Sequence, residues 1–277
     1  MTILVFTLIL LVGAYMAGFL GSLTGLGGGV IIIPLLTLVF HVDIRYAIGA
    51  ALLASIATSS GAASAYVKEG ITNIRLGMFL EIATTIGAVI GAFIAIYMPT
   101  NAIAVIFGVV LIFSAAMTVR KKHEAKLMKG SKLSEKLKLN STYPVNGEKV
   151  SYQLTNVAGG FSLMTLAGVL SGLLGIGSGS LKVLAMDSTM KIPFKVSTTT
   201  SNFMIGVTAA ASAVVYLQRG YMDPGIAFPV VLGVLAGALT GAKILPKINP
   251  KILRIIFAIA ITAVAIEMII NGINHKF

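Results

Sequence analysis

A chain of 277 residues with 57% hydrophobic and only 11% charged side chains cannot cover a water-facing surface, since soluble domains carry about a quarter charged residues. Its net charge of +12 comes from 21 Lys and Arg against 9 Asp and Glu. The basic residues cluster between apolar runs, without a stripe of interleaved aromatics, which points to the positive-inside pattern of a membrane protein and away from nucleic acid.

The first apolar run begins at Ile3 with no Lys or Arg before Arg45, so this start reads as mature structure rather than a cleavable signal peptide. A membrane-spanning helix needs about 20 mostly apolar residues. Segments of that kind are predicted at 3–22, 46–67, 76–98, 101–119, 157–174, 196–217, 226–246 and 252–271. The first and fifth each run into a Gly-rich break and a second, short apolar piece. These breaks are Gly25-Leu26-Gly27-Gly28-Gly29 before 30–40, and Gly175-Ile176-Gly177-Ser178-Gly179 before 181–187. Between the halves lies a polar connector, 120–154, which holds nine Lys and Arg and reads as a solvated loop at an anionic cytoplasmic leaflet. The expected organisation is therefore membrane repeat one at 1–119, the basic connector at 120–154 and membrane repeat two at 155–277.

Sliding the chain against itself by 150 residues aligns the halves without a gap. Gly18 meets Gly168; Gly25, Gly27 and Gly29 meet Gly175, Gly177 and Gly179; Thr58 meets Thr208; Tyr66 meets Tyr216; Gly70 meets Gly220. Gly87-Ala88 and Gly91-Ala92 meet Gly237-Ala238 and Gly241-Ala242. Internal duplication is common in secondary transporters, and paired Gly-interrupted segments are the best sequence pointer to their binding site.

If every segment crosses once, the repeats lie parallel. If the first and fifth segments are re-entrant hairpins turning at their breaks, the repeats are inverted. The inverted arrangement then places 17 of the Lys and Arg on the cytoplasmic side and three outside, with Lys182 within the membrane. Basic residues near helix ends bias orientation, so this arrangement is favoured. The predicted fold is an all-α integral membrane protein of two inverted repeats, each a Gly-broken helix or re-entrant hairpin plus three transmembrane helices.

A backbone break at membrane depth must be buried in protein or line a polar cavity. The short piece after each break offers a helix N-terminus, whose free N–H groups and positive end suit an anion. Candidate substrate-binding residues at the breaks are Thr24, Gly27, Gly28, Gly29, Ser178, Gly179, Ser180 and Lys182. Lys182 is a full positive charge at membrane depth. The run Ser197-Thr198-Thr199-Thr200-Ser201-Asn202 opens the sixth segment, and Ser55, Thr58, Ser59 and Ser60 lie within the second. Of these, Thr199, Thr200, Asn202 and Ser59 are candidate donors to oxyanion oxygens. Asp187, Glu81 and Glu267 are candidates for proton coupling. Gly87, Gly91, Gly237 and Gly241 read as close-packing positions between helices.

An intramembrane enzyme is disfavoured: no His lies in an apolar span, no pair of membrane Asp exists, and no GxxxxGK[ST] motif supplies a nucleotide site. No Cys is present, so there is no thiolate metal site, and neither a metal nor another cofactor is expected.

The two Gly motifs, Pro34 after the first, and the stretch Lys195-Val196-Ser197-Thr198-Thr199-Thr200-Ser201-Asn202 together resemble the TauE/SafE family of sulfite and organosulfonate exporters. The resemblance spans nearly the whole chain apart from the connector. It implies a multi-pass protein of a bacterial or archaeal cytoplasmic membrane that exports a small sulfur-containing anion by alternating access. The alternative is an importer or channel for another small anion such as thiosulfate, or an ion-coupled carrier of an unrelated substrate. The expected partners are a small-molecule anion and the lipid bilayer, with a homodimer compatible and nucleic acid not expected.

Overall fold

Lipid supplies no partner for backbone N–H and C=O groups, so apolar runs of this length fold as helices that satisfy their own backbones. The computed structural model describes residues 3–24, 27–68, 70–119, 130–145, 148–244 and 250–276; the side chains of some helix ends, Thr24 and Tyr66 among them, lie outside the described set. Repeat one comprises α1 (Ile3–Thr24), α2 (Gly29–Pro34, continued by a π-helical turn Leu35–Val39), α3 (Ile44–Lys68), α4 (Ile74–Tyr97) and α5 (Thr100–Val119). Repeat two comprises α7 (Val157–Leu174), α8 (Gly179–Leu184, continued by a π-helical turn Ala185–Thr189), α9 (Phe194–Gln218), α10 (Pro224–Ile244) and α11 (Pro250–Ile273). Seven of these helices, among the described residues, are long and apolar enough to cross a membrane.

The helices are apolar on the outside and small or polar within. On α4 the exposed stripe is Met78, Ile82, Ile86, Ile90 and Phe93, recurring every three or four residues, which in water would be an untenable face. The opposite stripe of the same helix, Gly77, Glu81, Thr84, Ala88, Gly91 and Ala95, is buried. With no hydrophobic drive between helices in lipid, close backbone approach at small residues does the packing.

That packing repeats under the 150-residue shift. α1 packs on α10 and α7 on α4, while α3 packs on α9 and α5 on α11. The glycine contacts obey the same exchange. Gly87 lies against the Thr165 carbonyl and Gly237 against that of Tyr15; Gly91 meets Val169 and Gly241 meets Phe19; Gly168 meets Thr84 and Gly18 meets Val234. The left-handed backbone positions are paired too: Gly27 with Gly177, His41 with Lys191, Gly70 with Gly220. The stripes expected to pack closely do so, and the repeat extends from sequence to atomic contact.

The connector is more than a solvated loop. It holds α6 (Lys132–Lys136) and an antiparallel hairpin of β1 (Ser141–Val145) and β2 (Glu148–Tyr152). In the sequence Asn146-Gly147, a strong two-residue hairpin signal, stands between those strands, where the density of charge had pointed to a solvated loop. The hairpin docks on the membrane helices through Asn73, the N-cap of α4. The Asn73 side-chain amide donates to the Leu139 carbonyl (3.0 Å) and to the Tyr152 hydroxyl (2.8 Å), while its Oδ1 accepts from Leu76 N (3.0 Å). Burial pushes the Tyr152 phenol up to about 12, so the dock holds a neutral hydroxyl and is lost only as the pH climbs from 10 towards that value. Asn73→Ala removes the cap and both connector bonds, together about 1–3 kcal/mol. Tryptic cleavage at Lys132, Lys136 and Lys138 should quicken by roughly tenfold at constant fold; an unchanged cleavage rate would mean that the hairpin is held by something else.

Candidate functional site

Each repeat opens as a helical hairpin. The chain leaves α1, turns at the break and folds back: Gly21 lies against Gly27 and Gly28, and Gly13 against Leu35. Gly27 has φ +82° and its repeat mate Gly177 has φ +66°, a region that side chains other than Gly enter only with strain. Ser178 nonetheless sits at φ +49°, just before α8. Both turns sit at the middle of the 25-residue helices α3 and α9, since Gly27 and Gly29 face Ser55 and Ala51, and Gly177 faces Ile205.

The two breaks meet. A Cβ at Gly29 would lie 2.8 Å from the Gly175 carbonyl oxygen and 2.9 Å from Ser55 Oγ, and one at Gly27 would lie 3.8 Å from the Ile176 carbonyl oxygen. Here glycine is required because backbone from the other repeat occupies the place of a side chain. Gly28 N donates to Thr58 Oγ1 (3.2 Å), which ties break one to α3. Ser201 Oγ donates to the Gly179 carbonyl (3.1 Å), which ties break two to α9. Ser59 Oγ donates to the Asn202 carbonyl at 2.5 Å, joining α3 to α9 beside them. The first N–H groups of a helix have no partner within it, and both short helices, α2 and α8, begin at these breaks.

Among the described residues, several buried polar atoms near the junction have no hydrogen-bond partner: Ser55 Oγ, Ser178 Oγ and Asn202 Nδ2. A buried donor left unpaired costs about 1–3 kcal/mol, and native structures rarely keep one without a reason. Next to them, α8 carries Lys182, which is 0% exposed. Its Nζ donates to Thr208 Oγ1 of α9, and Thr208 Oγ1 donates in turn to Glu81 Oε1 of α4, each at 2.5 Å. Ammonium, hydroxyl and carboxylate thus form one line across three helices of both repeats.

Not every predicted residue faces this place. Thr199 Oγ1 returns to the carbonyls of Lys195 and Val196, and Thr200 Oγ1 accepts from Asn73 N (3.1 Å), so these two hold the helix and the α4 cap. Ser180 Oγ shares a hydrogen bond with Ser114 of α5. Asp187 lies in the π turn after α8 and is half-buried, while Glu267 is exposed on α11, which packs on α5. Glu81, by contrast, is brought into contact with the site. The side chain of Thr24 lies outside the described residues. Thr208 and Ser55 were legible only as a repeat match and as a hydroxyl in the second segment. What singles Thr208 out is its bond to Glu81, 127 residues away, and what singles Ser55 out is its place against Gly29 in the first break. Among the described residues no group of three His, Cys, Asp or Glu could hold a metal ion.

The family model described as sulfite exporter TauE/SafE matches residues 9–268. The chain is 31% identical over 232 residues to Probable membrane transporter protein YunE of Bacillus subtilis, covering 81% of this chain and 83% of that one. It is 27% identical over 221 residues to Probable membrane transporter protein YdhB of the same organism, covering 80% and 83%. A third relative, Probable membrane transporter protein MJ0441 of Methanocaldococcus jannaschii, is 26% identical over 229 residues, covering 79% and 76%. No solved structure matches the chain.

Proposed function

From the premise that this chain belongs to the sulfite exporter TauE/SafE family and is a multi-pass membrane transporter, we propose that it is a secondary carrier that exports a small sulfur-containing anion, sulfite or an organosulfonate, by alternating access. The observation that carries this reading is three buried donors unpaired among the described residues: Ser55 Oγ against Gly29 of the first break, Ser178 Oγ in the second break, and Asn202 Nδ2 on α9 where Ser59 of α3 joins it. A sulfonate or sulfite group is compact, anionic and all acceptor. Its oxygens complete each of those donors, and the Lys182 ammonium, with three N–H donors of which Thr208 takes one, supplies the balancing charge. The starts of α2 and α8 add backbone N–H groups from either side.

Alternating access needs two halves that can rock about a fixed site, and inverted repeats provide them. The helix directions support that arrangement. α1 runs with α10, as Leu11 and Phe19 meet Gly233 and Gly241 in order, and α3 also runs with α10, as Gly49 and Gly61 meet Tyr221 and Ala238. α4 runs with α7, as Thr84 and Ala88 meet Gly168 and Gly172. A short turn between consecutive crossings α3 and α4 reverses the chain, so α1 and α7 point opposite ways.

The test is a calorimetric binding panel on purified protein with sulfite, thiosulfate, sulfoacetate, isethionate and taurine, followed by uptake into proteoliposomes. At least one sulfur oxyanion should bind and exchange across the membrane. Asn202→Ala and Ser178→Ala should each weaken that binding by roughly tenfold, as expected for one hydrogen bond to a charged group. Binding of none of the panel, or of the anions equally in both variants, would remove the junction as their site.

A further inference from the structure

Glu81 and Lys182 are the charged side chains that the described part of the molecule buries, at 7% and 0% exposure. They do not occur in the repeat symmetry: the 150-residue shift puts Ile32 at the place of Lys182 and Val231 at the place of Glu81, while Thr58 matches Thr208. In repeat one that threonine caps Gly28 N. In repeat two it has been turned to bridge an ammonium and a carboxylate. The charges are therefore an addition to one half of a symmetric scaffold, at the place where the anion is proposed to sit.

The bridge is incomplete on one side. Glu81 Oε1 accepts from Thr208, and at 3.4 Å from Thr85 Oγ1, but the buried Oε2 has no partner among the described residues. Few other charges can compensate it. α7 carries no titratable residue, and α5 carries none either. On α9 Lys195 is exposed in the first turn, and Tyr216 lies two turns beyond Thr208 with its hydroxyl on the Gly172 carbonyl. On α4 itself Arg75 is exposed at the N-terminal end. Beyond Lys182, the α8 segment brings Asp187 in its π turn. The neutrality of the buried site therefore rests on Lys182 and Glu81 balancing each other.

Resting on the carrier reading above, we infer that Glu81 is the proton-coupling group: when an anion takes Lys182, Glu81 Oε2 binds one proton, and anion and proton cross together. The balance is one of charge. The empty site holds an ammonium and a carboxylate. With a monoanion on Lys182, an ionised Glu81 would leave a net negative charge in a low-dielectric interior, where an isolated ion costs far more than neutralising it. A proton from water on the open side forms an O–H bond at Oε2, Lys182 stays an ammonium, and the loaded site is again neutral. Both the empty and the loaded carrier can then reorient without moving net charge. Transport is electroneutral for a monoanion, and its direction follows the combined gradients of anion and proton: a high internal anion concentration drives export, and an inward proton gradient opposes it.

Infrared difference spectroscopy tests the pairing without any substrate. Wild-type protein should show no protonated-carboxyl band that Glu81→Gln removes. Lys182→Met, which leaves Glu81 without its counter-charge, should gain one such band, and the double variant Lys182→Met/Glu81→Gln should lack it. A wild-type band that Glu81→Gln removes, or no band in Lys182→Met, overturns the pairing. The second arm adds isethionate and each panel anion that binds by calorimetry to the wild type. The same band should appear on binding, and in proteoliposomes an outward-directed proton gradient should accelerate anion efflux in wild type but not in Glu81→Gln. Binding without the band overturns the coupling while leaving the carrier reading intact. If no anion of the panel binds, the carrier reading fails and the substrate-free spectra still decide whether Lys182 and Glu81 form one charge pair. The conservative Glu81→Asp, which keeps the carboxyl, should retain part of the gradient dependence; a purely structural Glu81 would lose or keep both variants' response together.

Discussion

Lys182→Ala is expected to lower anion transport by at least about 30-fold. Truncating one partner of a buried, hydrogen-bonded charge pair costs about 2–5 kcal/mol, and each 1.4 kcal/mol is a factor of ten. The loss has two sources that a single variant mixes. One is the missing counter-charge for the anion. The other is Glu81, left against Thr208 without its counter-charge and so driven to bind a proton. The double variant Lys182→Met/Glu81→Gln separates them, because replacing both members of a buried pair by neutral groups of similar volume is often neutral or stabilising. Its melting temperature should recover to near that of the wild type while its transport does not. Transport that recovers along with stability would make Lys182 a scaffold residue and not a ligand for the anion.

The second large effect falls on Gly29. An alanine methyl there would lie 2.8 Å from the Gly175 carbonyl oxygen, 2.9 Å from Ser55 Oγ and 3.1 Å from the Ala51 carbonyl oxygen. Two of those atoms are backbone, held by α3 and by the other break, so neither can step aside as a flexible side chain would. Overpacking of this kind costs about 1–3 kcal/mol, and here it forces apart the two elements whose meeting makes the site. Gly29→Ala should therefore lower the melting temperature by several degrees and abolish anion binding. Gly70→Ala is the control. It carries φ +67° but has open space around it, so it should cost only the strain of about 1–2 kcal/mol and leave binding alone. Normal binding in Gly29→Ala would show that the breaks need not touch for the carrier to work.

Much of the architecture was legible because it is written twice. The constant offset linking Gly87 to Gly237 and Gly168 to Gly18 reappears as exchanged backbone contacts, since a duplicated sequence in lipid packs through the same small residues in both copies. The breaks were legible because Gly at mid-span is costly without a use. The charge relay was not. Glu81, Lys182 and Thr208 lie on three helices, and nothing in their spacing announces that a short carboxylate in an apolar run faces a lysine a hundred residues on. Pattern gave each residue as a separate curiosity, and only packing of α4, α8 and α9 joined them. The hydroxyl run after the second break shows the opposite error. It reads as one set of ligands, yet the helix turns its members to different tasks: Thr200 to the α4 cap, Ser201 to the Gly179 carbonyl, Asn202 to the unpaired cluster. Successive helical residues point about 100° apart, so a contiguous run cannot face one ligand.

The central claim is that one anion sits where the two glycine breaks meet. The most direct test is a structure of the protein saturated with the tightest-binding anion of the panel. Density for that anion should lie between Gly27–Gly29 and Ser178–Lys182, within hydrogen-bond reach of Ser55, Ser178 and Asn202. An ordered anion held instead at a membrane face or on the basic connector, with the three donors still unpaired, would contradict the account.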